Sequence, residues 1–89
     1  MNSRTLPQFW KLYYQLPKEV RLRVVKTYRV WRNNPQTPGL RFKLVGKRRP
    51  VYSVRISDAY RALGLLDGDT VYWFWIGAHD EYERIIKSM

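Results

Sequence analysis

The hydrophobic period of this chain changes once, between Asn33 and Gly39, and that change limits the folds open to it. Before it, Leu6, Phe9, Trp10, Tyr13 and Leu16 recur at spacings of three or four, which lines one face of a helix. Thr5-x-x-Gln8 has the form of a capping box and Pro7 suits a first helical turn, so residues 6–15 read as a short amphipathic helix. Leu16-Pro17 breaks it. Pro17 can open a second helix with the stripe Val20, Val24, Tyr28 and Trp31, and Asn33-Asn34-Pro35 stops that helix. Gln36-Thr37-Pro38-Gly39 is a loop.

After Gly39 the pattern is that of strands. Leu40–Val45, Val51–Ile56, Tyr60–Leu65 and Thr70–Ile76 carry the β-branched and aromatic residues that strands favour. Asp67-Gly68 supplies a hairpin turn, Gly77 ends the last strand, and Asp80-x-x-Glu83 caps a helix running to about Ser88. With connections this short, the expected fold is α+β: an N-terminal helical hairpin on a four-stranded antiparallel sheet, with a short C-terminal helix. No N-terminal strand is expected, because the chain opens almost directly into a helix. Without linkers or repeats, residues 1–89 form one domain. The thin core of so short a chain is offset by four Trp, seven Tyr and three Phe, each burying roughly 150–250 Å².

Charge narrows the function. Seventeen Lys and Arg face seven Asp and Glu, a net charge of +10. No acidic residue lies between Glu19 and Asp58, a stretch rich in Arg and Lys. A field this one-sided attracts polyanions and draws affinity from released counterions, so the expected partner is nucleic acid, an acidic protein, or both. The basic segments are interrupted by turns and strands, which disfavours an amphipathic membrane helix. There is no Cys and a single His, so neither disulfides nor a zinc site is expected, and no cofactor. The first residues are followed by no apolar segment of the secretory kind, and a cytoplasmic location is expected.

Arg55 and Arg61 flank Ser57-Asp58-Ala59. A three-residue loop there pairs Ile56 with Tyr60 and sets Arg55 opposite Arg61. Opposed cations destabilise a sheet, and the arrangement makes sense if a phosphate belongs between them. A register slip of one residue would leave two solvated arginines. His79 falls at the entrance of the last helix, where backbone N–H groups and the helix dipole favour anions. Histidine titrates near neutrality and can exchange a proton with a phosphate ester, or simply flank the helix. Tyr82, one turn on, either points back to the site or anchors the helix. Arg41 and Lys43 share one strand face and, with Lys47, are candidates for RNA backbone contacts. Trp73 and Trp75 are expected on one face, as core residues or as platforms for RNA bases.

A Leu-Pro-Lys-Glu-Val helix start, an Asn-Pro helix stop, and a Leu-Arg-Phe-Lys strand are followed by Tyr-Ser-Val-Arg-Ile, Tyr-Arg-Ala-Leu and a closing Trp-Phe-Trp-Ile-Gly-Ala-His-Asp-Glu-Tyr. In this order they resemble the RelE/ParE toxins of type II toxin–antitoxin systems, from about Phe9 to Ile86. The resemblance implies a microbial-RNase-like fold and an acidic antitoxin as partner. RelE-like members cut messenger RNA, typically on the ribosome and without metal, whereas ParE-like members poison DNA gyrase. By position, the residues that contact the scissile phosphate in RelE-like toxins correspond to Arg55, Arg61, His79 and Tyr82. Five residues separate the two arginines here where many members have four, and His79 stands where many have Arg. The expected function is a metal-independent mRNA endoribonuclease that inhibits translation. The alternatives are a gyrase inhibitor and a non-catalytic nucleic-acid or antitoxin-binding module.

Overall fold

A computed structural model describing residues 1–89 places five strands and three helices in the order β1 (Asn2–Thr5), α1 (Pro7–Tyr13), α2 (Lys18–Asn33), β2 (Lys43–Leu44), β3 (Val51–Arg55), β4 (Tyr60–Asp67), β5 (Thr70–Ala78) and α3 (His79–Lys87). The sheet order is β1-β5-β4-β3-β2. Strands β2 to β5 form the expected antiparallel meander, but β1 adds a fifth strand parallel to β5, so the sheet is mixed. This corrects the four-stranded expectation. Asn2-Ser3-Arg4-Thr5 has no hydrophobic alternation to announce a strand. It is held by backbone bonds at its ends, Asn2 N–H to Asp69 O at 2.7 Å and Leu6 N–H to Trp73 O at 3.0 Å. The Trp73 indole N–H adds a bond to Ser3 Oγ at 3.0 Å.

Both N-terminal helices cover one face of the sheet. Phe9 of α1, Leu16, and Val24 and Trp31 of α2 close over Val54, Ala62, Val71, Trp73 and Ile76. Trp31 meets Trp73 and Phe42 edge-on at centroid distances of 5.3 and 5.6 Å. The α2 stripe is as expected, with the addition of Thr27, which is buried. The capping boxes fail in detail. Leu6 is the N-cap of α1 and Ala78 that of α3, neither with a side-chain cap bond. Thr5 instead accepts the indole N–H of Trp10 at 2.8 Å.

On the opposite face α3 packs across the middle of the sheet, where Tyr82 joins Val51, Leu63 and Trp75 in a second cluster. A β-bulge divides the two Trp residues of β5. Leu63 pairs with Trp75 while Gly64 pairs with Trp73, leaving Phe74 as the extra residue. The bulge reverses the alternation, so Trp73 faces α2 and Trp75 faces α3, contrary to the shared face expected from spacing. Gly64 is required beside it, because a Cβ there would lie 2.5 Å from Val71 Cγ1 and 2.8 Å from Trp73 Cε3. The β4–β5 turn is centred on Gly68-Asp69, one residue later than expected, and Gly68 supplies the positive φ of 62° that a type II′ turn needs at its first position.

The segment Leu40–Val45 departs most from a regular strand. Leu40 is buried and its carbonyl accepts the Arg55 N–H at 2.7 Å, but Arg41 turns the chain with φ 49°. Only Lys43 and Leu44 pair with β3, and Leu44 is 56% exposed rather than in the core. No helix is long and apolar enough to cross a membrane.

Candidate active site

The β3–β4 hairpin decides which cations meet. Ile56 N–H bonds to Tyr60 O at 3.1 Å, and the ladder continues with Arg55 opposite Arg61. The loop is therefore the three-residue Ser57-Asp58-Ala59, and the two arginines stand side by side as the register argument required. Alternation from Ser53 and Leu63 puts both on the α3 face of the sheet.

A repulsive pair needs compensation, and the turn provides it. Arg55 pairs through Nη2 with Asp58 Oδ1, a carboxylate otherwise 95% exposed. Arg61 donates from Nη1 to the backbone oxygens of Ser57, Tyr60 (3.0 Å) and Asp58 (3.3 Å). The hydrogen bond from Arg55 holds the Asp58 carboxyl below the ordinary aspartate range, and the charges of Arg55, Arg61 and Arg41 add to the effect. Burial lowers the guanidinium of Arg61 from its usual value, the nearby Tyr82 offsets this in part, and Arg55 and Arg41 push it further down. It still carries its charge at neutral pH. The Arg41 backbone lies beside Arg55, because the carbonyl of its neighbour Leu40 accepts the Arg55 N–H at 2.7 Å. The left-handed conformation of Arg41 is unusual for a residue with a Cβ. Two guanidiniums thus stand on one small surface, and the carboxylate of Asp58 occupies one of them.

His79 is the first residue of α3, and its backbone N–H bonds to Ala59 O at 2.8 Å, which ties the helix entrance to the arginine-flanked turn. Its Nε2 lies 3.3 Å from Glu83 Oε1, one helical turn on, so Glu83 orients the imidazole rather than capping the helix. Tyr82 is 4% exposed, and its hydroxyl donates to the buried Ser53 Oγ at 3.1 Å. The ring lies 5.9 Å beneath the Arg61 guanidinium carbon and 5.7 Å from the His79 ring. Of the two readings of Tyr82, this geometry is that of an anchor that also supports Arg61.

The remaining candidates divide. Lys43 pairs with Ser53 and so lies on the same sheet face as the arginines, exposed. Lys47 sits in the loop at the far end of β3, roughly 13 Å away at a strand's rise per residue. Trp73 and Trp75 are 4% and 7% exposed, which removes them as stacking platforms. Nowhere do three His, Cys, Asp or Glu side chains gather as metal donors. Asp58 and Glu83 are the site residues that sequence reasoning missed. The i,i+4 spacing of His79 and Glu83 was the available signal for the second, while Asp58 gave none beyond its place in a turn.

A family model described as a ParE-like toxin domain matches residues 18–84. No curated protein matches the sequence significantly. Among solved structures, the fold is similar to a chain of the RelB–RelE antitoxin–toxin complex from Methanococcus jannaschii, at TM-score 0.74 and 17% identity, covering 92% of this chain and 96% of that one. It is also similar to the RelBE2 toxin–antitoxin complex from Mycobacterium tuberculosis, at TM-score 0.66 and 20% identity over 88% and 96% of the two chains. The isolated RelE toxin of E. coli matches at TM-score 0.64 and 17% identity over 99% and 98%.

Proposed function

We propose that this chain, which belongs to the ParE-like toxin domain family of the RelE/ParE superfamily, is a toxin that cuts messenger RNA without a metal ion. The observation that carries the reading is the pairing of Arg55 with Arg61 beside a turn that also holds the histidine at the entrance of α3. A phosphodiester seated between the arginines displaces Asp58 from Arg55. The ribose 2′-oxygen loses its proton to a base and attacks the phosphorus in line, and the 5′-oxygen leaves. The products are a 2′,3′-cyclic phosphate and a 5′-hydroxyl end. Arg55, Arg61 and Arg41 neutralise charge growing on the phosphoryl oxygens, a preorganised stabilisation that water cannot supply as cheaply. His79, oriented by Glu83, gives its proton to the departing 5′-oxygen. Tyr82 supports the Arg61 guanidinium from below.

The partner that silences such a toxin is an acidic antitoxin. An apolar cleft of about 320 Å³ between α1, α2 and the sheet is lined by Phe9, Trp10, Tyr13, Val25 and Tyr28, and it suits the apolar side of an amphipathic segment whose acidic side meets the basic surface. The similar chains from M. jannaschii and M. tuberculosis come from complexes with antitoxins. Purified protein incubated with a ribosome-programmed message should produce fragments ending in 2′,3′-cyclic phosphate, and co-expression of the antitoxin should restore growth. Intact message together with inhibited gyrase supercoiling would transfer the assignment to a gyrase poison, the other activity of the superfamily.

A further inference from the structure

A second basic groove opens from Arg55 on the side away from α3. Its walls are Arg23, Lys26 and Val30 of α2 and the loop through Thr37 and Pro38, and its volume is about 240 Å³. That is below the roughly 300–1,000 Å³ of a site that encloses a whole ligand, and it suits one unit of a chain passing through. Arg23 is fixed by a bond from Nε to Ile56 O at 3.2 Å, which leaves its two terminal nitrogens without a protein acceptor. Lys26 has no carboxylate partner either, since the ion pairs of the molecule are Arg55–Asp58 and His79–Glu83. Like charges three apart on a helix oppose its stability, and no acidic side chain lines the groove to offset them.

We propose that this groove carries the RNA strand onward from the scissile phosphate, with Arg23 and Lys26 holding a neighbouring phosphate. The inference rests on the ribonuclease reading and adds the course of the substrate. Continuity is the argument: Arg55 borders both the groove and the cluster, and in a polynucleotide a phosphate recurs with every unit. Val30, Thr37 and Pro38 offer the sugar a mostly apolar wall.

The test uses single-stranded RNA made uncleavable by a 2′-deoxy sugar at the cut site, at two lengths: a dinucleotide spanning the cut and an octanucleotide centred on it. Lys26→Gln should weaken the octanucleotide about 3- to 10-fold and leave the dinucleotide unchanged. It should also reduce the slope of log K against log salt by about 0.7, the share of one single-strand phosphate contact. Lys11→Gln removes the same charge from exposed α1 and is the control. If Lys26→Gln and Lys11→Gln behave alike while Arg61→Ala weakens both lengths, the groove is refuted and the site stands. If wild-type protein binds neither RNA at low salt, both readings fall. Unchanged octanucleotide affinity with weakened binding of a poly-glutamate peptide would refute RNA in favour of an acidic protein segment.

Discussion

Replacing Tyr82 by Phe removes one hydroxyl from the interface of α3 with the sheet. The hydroxyl donates to Ser53 Oγ at 3.1 Å, and Ser53 is among the most fully buried side chains. Leaving a buried polar group unpaired costs roughly 1–3 kcal/mol, whereas replacing both partners by apolar groups is nearly neutral. Tyr82→Phe should therefore cost about 2 kcal/mol, which in a domain this small lowers the melting temperature by roughly 8–16 °C. Adding Ser53→Ala should recover most of the loss, with a coupling in the range of about 0.5–3 kcal/mol. Thermal melts of the four members of the cycle measure it. Single-turnover cleavage below the melting range then separates the roles of Tyr82. As a support for Arg61 it can lose its hydroxyl with a small change in rate, but as a proton donor its loss would cost roughly 10²–10⁴-fold. A Phe variant as stable as wild type, or one slowed a hundredfold while folded, rules out Tyr82 as an anchor that takes no part in proton transfer.

Asp58 should titrate below the ordinary aspartate value of 3.8 by NMR, and Arg55→Ala should return it towards 3.8. Because its folded pKa is depressed, its stabilising contribution is complete above 3.8 and fades only as pH falls through the lower folded midpoint; loss between pH 5 and 8 would contradict the pairing. Gly64→Ala should destabilise by about 1–3 kcal/mol, seen as a lowered urea midpoint, because its Cβ meets Val71 and Trp73 beside the bulge. Arg41→Gly should leave stability unchanged or raise it by up to about 1 kcal/mol, since relief of the left-handed backbone outweighs the gain in unfolded-state freedom, while RNA affinity falls. A melt lowered by Arg41→Gly would show that the arginine, not the turn, holds that loop.

The parts of the fold set by side-chain periodicity were legible in the sequence. The α2 stripe, the three antiparallel strands from Val51 to Ala78 and the opposition of Arg55 to Arg61 all follow from spacing, because burial or a short loop fixes the register. What lay outside its reach was set by the backbone. Asn2–Thr5 joins the sheet through main-chain bonds that any polar residues could make. The extra residue at Phe74 sends Trp73 and Trp75 to opposite faces, and nothing local in Trp-Phe-Trp distinguishes a bulge from a regular strand. Arg41 turns where alternation predicts extension, beside the backbone contact of Leu40 with Arg55, and Leu44 is exposed. At the site the residue types were readable, and the i,i+4 spacing offered Glu83 to His79, but Asp58 on Arg55 depends on the shape of the turn and Ser53 beneath Tyr82 on tertiary placement.

In the proposed reaction His79 moves a proton on a phosphodiester held by Arg55 and Arg61. Single-turnover cleavage of a ribosome-programmed message by wild type, His79→Ala and Arg61→Ala, with RNA binding measured in parallel, separates proton transfer from phosphate binding. His79→Ala should slow cleavage by roughly 10²–10⁴-fold with little change in binding, because one imidazole contributes few phosphate contacts. Arg61→Ala should reduce both, since a charge-assisted contact that tightens in the transition state is lost. Cleavage by His79→Ala at the wild-type rate would show that His79 does not transfer the proton.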